Sequence, residues 1–143
     1  MLSFLLNKEQ SSGQALKPRI LIVDDEHDIT FPWKLGLERL GFQVDTFNNP
    51  ILAASNYQPN MYDLLLIDIR MPMMNGFELY KEIRKIDKKV KLCFITAYDI
   101  NNEDFKKSFP TLTLRHFIKK PIRTQDLAKE IRQKLNEDFE IIS

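Results

Sequence analysis

Three short apolar runs in the chain end in residues able to do chemistry. Ile20 to Val23 is followed by Asp24 and Asp25, Leu64 to Ile67 by Asp68, and Leu92 to Ile95 by Thr96. A fourth run, Leu114 to Ile118, is followed by Lys119, Lys120 and Pro121. Carboxylates brought close together repel and raise one another's pKa unless a cation joins them. Oxygen donors with no Cys or His cluster beside them suit a hard divalent ion such as Mg2+ rather than zinc. With Asp24 and Asp25 on the metal, one of them through a water, Asp68 is the least encumbered carboxylate. It can attack a phosphoryl group in line and become an aspartyl phosphate. Thr96 adds a hydroxyl donor and Lys120 a fixed cation, and positioning with charge neutralisation accounts for nearly all of phosphoryl-transfer catalysis.

Bringing these residues together requires strands that end side by side. The runs at 20–23, 64–67 and 92–95 are continuous and branched or aromatic, as strands buried on both faces are. Phe42 to Phe47 and Leu114 to Ile118 read as flanking strands. Between them Ile29, Trp33, Leu37 and Leu40 share one helical face, as do Leu79, Ile83 and Ile86, and then Leu127, Ile131 and Leu135. Asn49 before Pro50, Asn75 with Glu78 three residues on, and Thr124 ahead of the last periodic run carry helix-start chemistry. A further helix is expected within Asp99 to Phe109, ended by Pro110. Strands alternating with helices give an α/β fold, a doubly wound five-stranded parallel sheet with five helices, whose ligands bind beyond the carboxyl ends of the strands.

The chain of 143 residues is the size of one domain, and its composition, 43% hydrophobic and 29% charged, is that of a globular protein. Residues 1–18 are expected to form a flexible N-terminal arm, 19–136 the domain, and 137–143 a C-terminal tail. The apolar start Met1 to Leu6 is too short for a membrane span and has neither basic flank nor cleavage site. The single Cys93 excludes an intrachain disulfide and sits with a reducing, cytoplasmic setting.

These residues carry a resemblance to the response-regulator receiver domains of two-component signalling, the chemotaxis receivers among them. Ile20-Leu-Ile-Val-Asp-Asp-Glu26 resembles the family's first strand and acidic pair. Asp68-Ile-Arg-Met-Pro-Met-Met-Asn-Gly76 resembles its phosphoacceptor and following loop, Phe94-Ile-Thr-Ala97 its strand-four threonine, and Phe117-Ile-Lys-Lys-Pro121 its strand-five lysine and proline. The resemblance spans Arg19 to about Leu135 and implies a flavodoxin-like strand order of 2-1-3-4-5. It implies that a sensor histidine kinase phosphorylates Asp68 in a Mg2+-dependent reaction, with the metal held by Asp24, Asp25, Asp68 and the main-chain carbonyl of Arg70. Thr96 and the Ala97 amide would bind phosphoryl oxygens, Lys120 would pair with the phosphate, and Phe117 matches the aromatic switch position. Lys120 is chosen over Lys119 because the family's lysine directly precedes a proline that is usually cis. The chain would catalyse its own phosphorylation and slow autodephosphorylation rather than turn over an external substrate. Arg70 and Tyr98, two residues beyond Asp68 and Thr96, flank the family's path for attacking water, and their bulk is expected to slow that hydrolysis.

Blander readings of single residues stand beside these. Asp24 and Asp25 alone could simply begin a helix, where acids favour the positive end; Phe117 alone could be core filling; His27 and His116 read as structural or surface residues. A rival from another class is a Mg2+-dependent phosphohydrolase of the haloacid-dehalogenase type, which needs a second Asp two residues after the nucleophile; Arg70 stands there. A flavin binder would want a Ser/Thr-rich phosphate loop where Asp24-Asp25-Glu26 stands. No feature explains Phe31-Pro32-Trp33. From Lys106 to Lys134 there are nine Lys or Arg and two Asp or Glu, a net +7 within a chain of net +1. That imbalance points to an acidic protein partner or a second receiver, and not to DNA, since no helix-turn-helix is recognisable. The sum is a stand-alone receiver whose output is exerted by binding another molecule.

Overall fold

The computed structural model describes residues 16–97, 107 and 112–137, the side chain of Leu114 excepted. Five strands, β1 (Arg19–Val23), β2 (Gln43–Phe47), β3 (Leu64–Asp68), β4 (Lys91–Thr96) and β5 (Phe117–Lys119), form one sheet in the order β2-β1-β3-β4-β5. Every neighbouring pair is parallel, so all five carboxyl ends lie along one edge. The described residues hold four α-helices, α1 (His27–Arg39), α2 (Pro50–Asn56), α3 (Gly76–Ile86) and α4 (Thr124–Asn136). The helix expected within Asp99 to Phe109 lies, apart from Lys107, outside the described residues, as do Tyr98 and most of the expected N-terminal arm and C-terminal tail. Among the described residues no helix is long and apolar enough to cross a membrane.

The alternation of side chains along a strand divides the core into two layers. Ile20 and Ile22 of β1, Leu64 and Leu66 of β3, and Cys93 and Ile95 of β4 face Trp33 and Leu37 of α1 and Leu127 and Ile131 of α4. Leu21, Val23, Leu65, Ile67, Leu92 and Phe94 face the other way, onto Ala53 of α2 and Leu79, Tyr80 and Ile83 of α3. Burying each such aliphatic side chain stabilises the fold by about 1.5–3 kcal/mol. The three central strands therefore form a rigid base for whatever their ends carry.

Local chemistry sets the helix starts, with one correction. The Asn49 side chain accepts from the amides of Ile51 and Leu52 at 2.8 and 3.2 Å. Asn75 and Glu78 form a reciprocal capping box, each side chain 2.9 Å from the other's amide. Such caps contribute about 1 kcal/mol. Thr124, expected as a cap, is instead the first residue of α4, and Arg123 at the cap position makes no side-chain cap bond. Thr124 serves the packing of α4 on α1: a Cβ added to Gly36 would stand 2.5 Å from its Cγ2.

The last strand is also shorter than expected. Leu114–His116 is a 3-10 turn, and pairing with β4 begins at Phe117 opposite Phe94. The turn closes on itself: His116 N donates to Thr113 O at 2.9 Å, and the His116 Nδ1 accepts from Thr113 N at 3.0 Å. His116 is buried and holds this turn, a structural place as expected; His27 is an exposed residue of α1 with its ring stacked on Phe31. Pro32 lies inside α1, which runs on through it; the bond it withholds would have gone to the carbonyl of Asp28, an exposed residue that water reaches.

Candidate functional site

Each candidate residue sits at or just beyond a strand's carboxyl end. Asp24 continues β1, its amide bonding Phe47 O at 3.1 Å, and Asp68 is the last residue of β3. Thr96 is the last residue of β4, and its carbonyl takes the Lys120 amide at 2.8 Å, which carries the β4 and β5 pairing one step further. One carboxylate oxygen from each of Asp24, Asp25 and Asp68 lies within 4.8 Å of the others. Asp24 is fully buried and Asp68 nearly so, whereas Asp25 is partly exposed. Lys120, buried, reaches into this cluster, its Nζ 2.6 Å from Asp24 Oδ2, 3.6 Å from Asp68 Oδ2 and 3.7 Å from Glu26 Oε1. Lys119 is exposed, and the Lys120–Pro121 peptide bond is cis.

The glycine that ends the Asp68 to Gly76 segment shapes the floor of this site. Gly76 begins α3 with its amide on Ile69 O at 2.8 Å, and a Cβ there would run into the Asp68 carbonyl oxygen. The backbone of α3 can thus press against the strand end that carries Asp68, an approach only glycine permits.

Charge in the cluster is under-compensated. Burial, and then the neighbouring Asp24 carboxylate, push the Asp68 carboxyl up to about 6 against the pull of Lys120. Burial alone would lower the Lys120 ammonium, but its hydrogen bond to Asp24 and the charges of Asp24, Asp68 and Glu26 outweigh that, so its pKa is raised. The lysine is therefore a fixed positive charge, and one such charge leaves two of the three carboxylates uncompensated. The donor set is all oxygen and converges on one spot, which fits a hard divalent cation.

The remaining residues are placed less centrally. Arg70 lies two residues beyond Asp68, on the exposed loop, and no acid occupies that position. Ala97 is exposed and lines a cleft with Glu26, Lys120 and Pro121. Phe117 is half-buried, its ring 5.7 Å from Phe94, which in turn meets Phe77 edge-on at 4.7 Å. Trp33 is buried in the core, and Pro32 lines the same cleft as Ala97, so the segment 31–33 has one core residue and two surface ones. Of the nine cations between Lys106 and Lys134, Lys120 and Lys134 are buried, the latter paired with Glu130 at 3.3 Å. The basic stretch thus shows less charge at the surface than its sequence suggests. Sequence reasoning passed over Asn48, whose side chain holds the Asp24 carbonyl at 2.7 Å; no local signal marks a bond made across 24 residues of chain.

Comparison with known proteins agrees with this geometry. Residues 20–132 match the model of the response regulator receiver domain. The chain is 33% identical over 121 residues to the response regulator receiver protein CpdR of Brucella abortus, covering 82% of this chain and 96% of that protein. It is 39% identical over 79 residues, 55% of its length, to the transcriptional regulatory protein CpxR homolog of Haemophilus influenzae, of which it spans only 34%. The non-phosphorylated HemR receiver domain from Leptospira biflexa superposes with a TM-score of 0.74 at 28% identity, covering 86% of this chain and 98% of that one.

The raised Asp68 carboxyl has a consequence for stability. Between its ordinary 3.8 and about 6 the folded protein binds a proton that the unfolded chain does not, so stability rises as pH falls through that window and the penalty is fully present above it. With a chelator present, Asp68→Asn is expected to be more stable than wild type at pH 7 by on the order of 2 kcal/mol. The difference should shrink as the pH is lowered towards 5, read from urea unfolding midpoints.

Proposed function

The chain belongs to the response regulator receiver domain family, and from that premise we propose that it is a phosphorylatable switch: Asp68 takes a phosphoryl group from the phosphohistidine of a sensor histidine kinase, in a Mg2+-dependent reaction, and the altered surface engages a partner. The observation that carries this reading is the buried Asp68 held among two further carboxylates and the Lys120 ammonium at the edge of the sheet. A carboxylate raised in pKa, yet facing a fixed cation, is a nucleophile held where negative charge must be neutralised for it to act.

In the transfer, an Asp68 carboxylate oxygen forms a bond to phosphorus as the bond from phosphorus to the donor imidazole nitrogen breaks, and the electron pair leaves with the imidazole. Lys120 pairs with the phosphoryl oxygens. Thr96, at the end of β4, offers its hydroxyl to one of them, and the Ala97 amide supports it. Asp24, Asp25, Asp68 and the main-chain carbonyl of Arg70 are the residues that would hold Mg2+, and the chemistry such an ion supplies there is neutralisation of the phosphoryl charge. Drawing Thr96 towards the phosphate empties space beside it, into which Phe117 turns from its place against Phe94; the surface around β5 changes as populations shift.

The reading sets the chain in the cytoplasm, in keeping with its single, buried Cys93, and gives it an acidic protein or a second receiver as the partner of its basic end, with no direct contact to DNA. The haloacid-dehalogenase alternative gains no support from the family match, and Arg70 stands where its second acid would be.

Two outcomes are expected. Incubation with Mg2+ and acetyl phosphate should add a single phosphoryl group by intact mass, and the adduct should vanish in Asp68→Asn and in a chelated sample; an adduct that persists in Asp68→Asn would refute the assignment. Replacing both Arg70 and Tyr98 by alanine should shorten the lifetime of the phosphorylated form severalfold, followed by the decay of the same mass shift. A longer lifetime would remove their role in slowing hydrolysis.

A further inference from the structure

Asn48 follows β2 and reaches the turn between β1 and α1. Its Nδ2 donates to the main-chain carbonyl of Asp24 at 2.7 Å and to Thr30 Oγ1 at 2.9 Å. Both hydrogens of the amide are thereby used, one on the strand end that bears the acidic pair and one on the helix that follows it. Thr30 is fully buried, and its hydroxyl lies 3.4 Å from the His27 carbonyl. Helix α1 has no side-chain cap of its own at Glu26. Besides the bond of Asp24's own side chain to the Glu26 amide, the turn from Asp24 to His27 is held from outside, by a side chain that follows a different strand's end.

The carbonyl gripped by Asn48 belongs to the peptide that joins Asp24 to Asp25. Because a peptide unit is planar, fixing the direction of that carbonyl fixes the plane from which Asp25 departs. Asp24 has little need of such help: its Oδ1 accepts from the Glu26 amide at 3.0 Å and its Oδ2 faces Lys120 at 2.6 Å. Asp25 is different, for its partly exposed side chain makes no hydrogen bond or ion pair among the described residues. The direction in which it presents its carboxylate rests on the backbone beneath it.

We propose that Asn48 is a positioning residue for the acidic pair, its amide spanning the Asp24 carbonyl and the Thr30 hydroxyl so that Asp25 is presented to the cation shared with Asp68. The proposal rests on the Mg2+ reading of the site. Groups that orient a metal ligand without touching the metal typically change affinity by about 10- to 100-fold when lost.

The test is calorimetric titration of Mg2+ into the metal-free full chain, for wild type, Asn48→Ala, Asn48→Asp and Thr30→Val, with the urea midpoint of each recorded without metal. Asn48→Ala and Asn48→Asp should each bind Mg2+ about tenfold more weakly than wild type, while Thr30→Val, which keeps the bond to Asp24, should change the affinity far less. Asn48→Asp is the deciding variant, and it stands even where Asn48→Ala fails to fold. It is nearly the same size, can take the Thr30 hydroxyl as a donor where Asn48 gave it a hydrogen, and adds a negative charge that by Coulomb attraction alone would tighten cation binding. A loss of affinity in that variant follows from the lost donor to Asp24; an affinity equal to or tighter than wild type overturns the proposal. A wild type that binds no Mg2+ overturns the reading beneath it, a result distinct from unchanged affinity in the variants.

Discussion

The structure turns on the repulsion among three carboxylates gathered beside one buried ammonium. Asp24, Asp25 and Asp68 bring carboxylate oxygens within 4.8 Å of one another, and Lys120 is the cation placed among them. At that separation and an effective dielectric of about 20, a pair of like charges repels by roughly 3 kcal/mol, against a total stability of about 5–15 kcal/mol for a domain. Such a cluster persists only where the backbone beneath it cannot yield. Its residual negative charge is what a divalent cation bound there would neutralise.

The rest of the fold supplies that stiffness. A parallel sheet buried on both faces puts the ends of β1, β3 and β4 at fixed spacings, and the ladder runs on past them through the Asp24, Ile69 and Lys120 amides, bonded to Phe47, Ile95 and Thr96. Gly76 lets α3 press against the Asp68 backbone, and Gly36 lets α1 close on Thr124 at the start of α4. Asn48 adds a tie to the turn after β1, where α1 has no side-chain cap of its own. Lys34 plays a comparable part at the sheet's edge, its ammonium bonded to the Val44 carbonyl of β2, which leaves that edge less open to pairing.

Much of this was legible in the sequence because the strongest signals are local. Continuous apolar runs give the three central strands, helical spacing gives α1, α3 and α4, and Asn49 and Asn75 cap as their neighbours suggest. The acidic pair, Asp68, Thr96 and Lys120 could be found because a parallel sheet has to place strand ends together. What the sequence concealed is tertiary. The segment from Leu114 to Ile118 reads as strand, yet its first residues, with His116 tied to Thr113, form a 3-10 turn. Thr124 looks like a cap, yet its methyl is taken up by Gly36 of another helix. Lys134 looks like part of a basic surface, yet it lies buried beside Glu130. Asn48 resembles any turn residue, and its two partners lie 24 and 18 residues away.

The central claim is that the carboxylates wait on a cation, and the Asp68 carboxyl reports on it directly. Its carbon resonance, followed by NMR across pH in chelator and again with saturating Mg2+, gives the two titration midpoints. The account predicts a midpoint of about 6 without metal, falling to or below the ordinary 3.8 once Mg2+ is bound. The same midpoint with and without Mg2+ would contradict it.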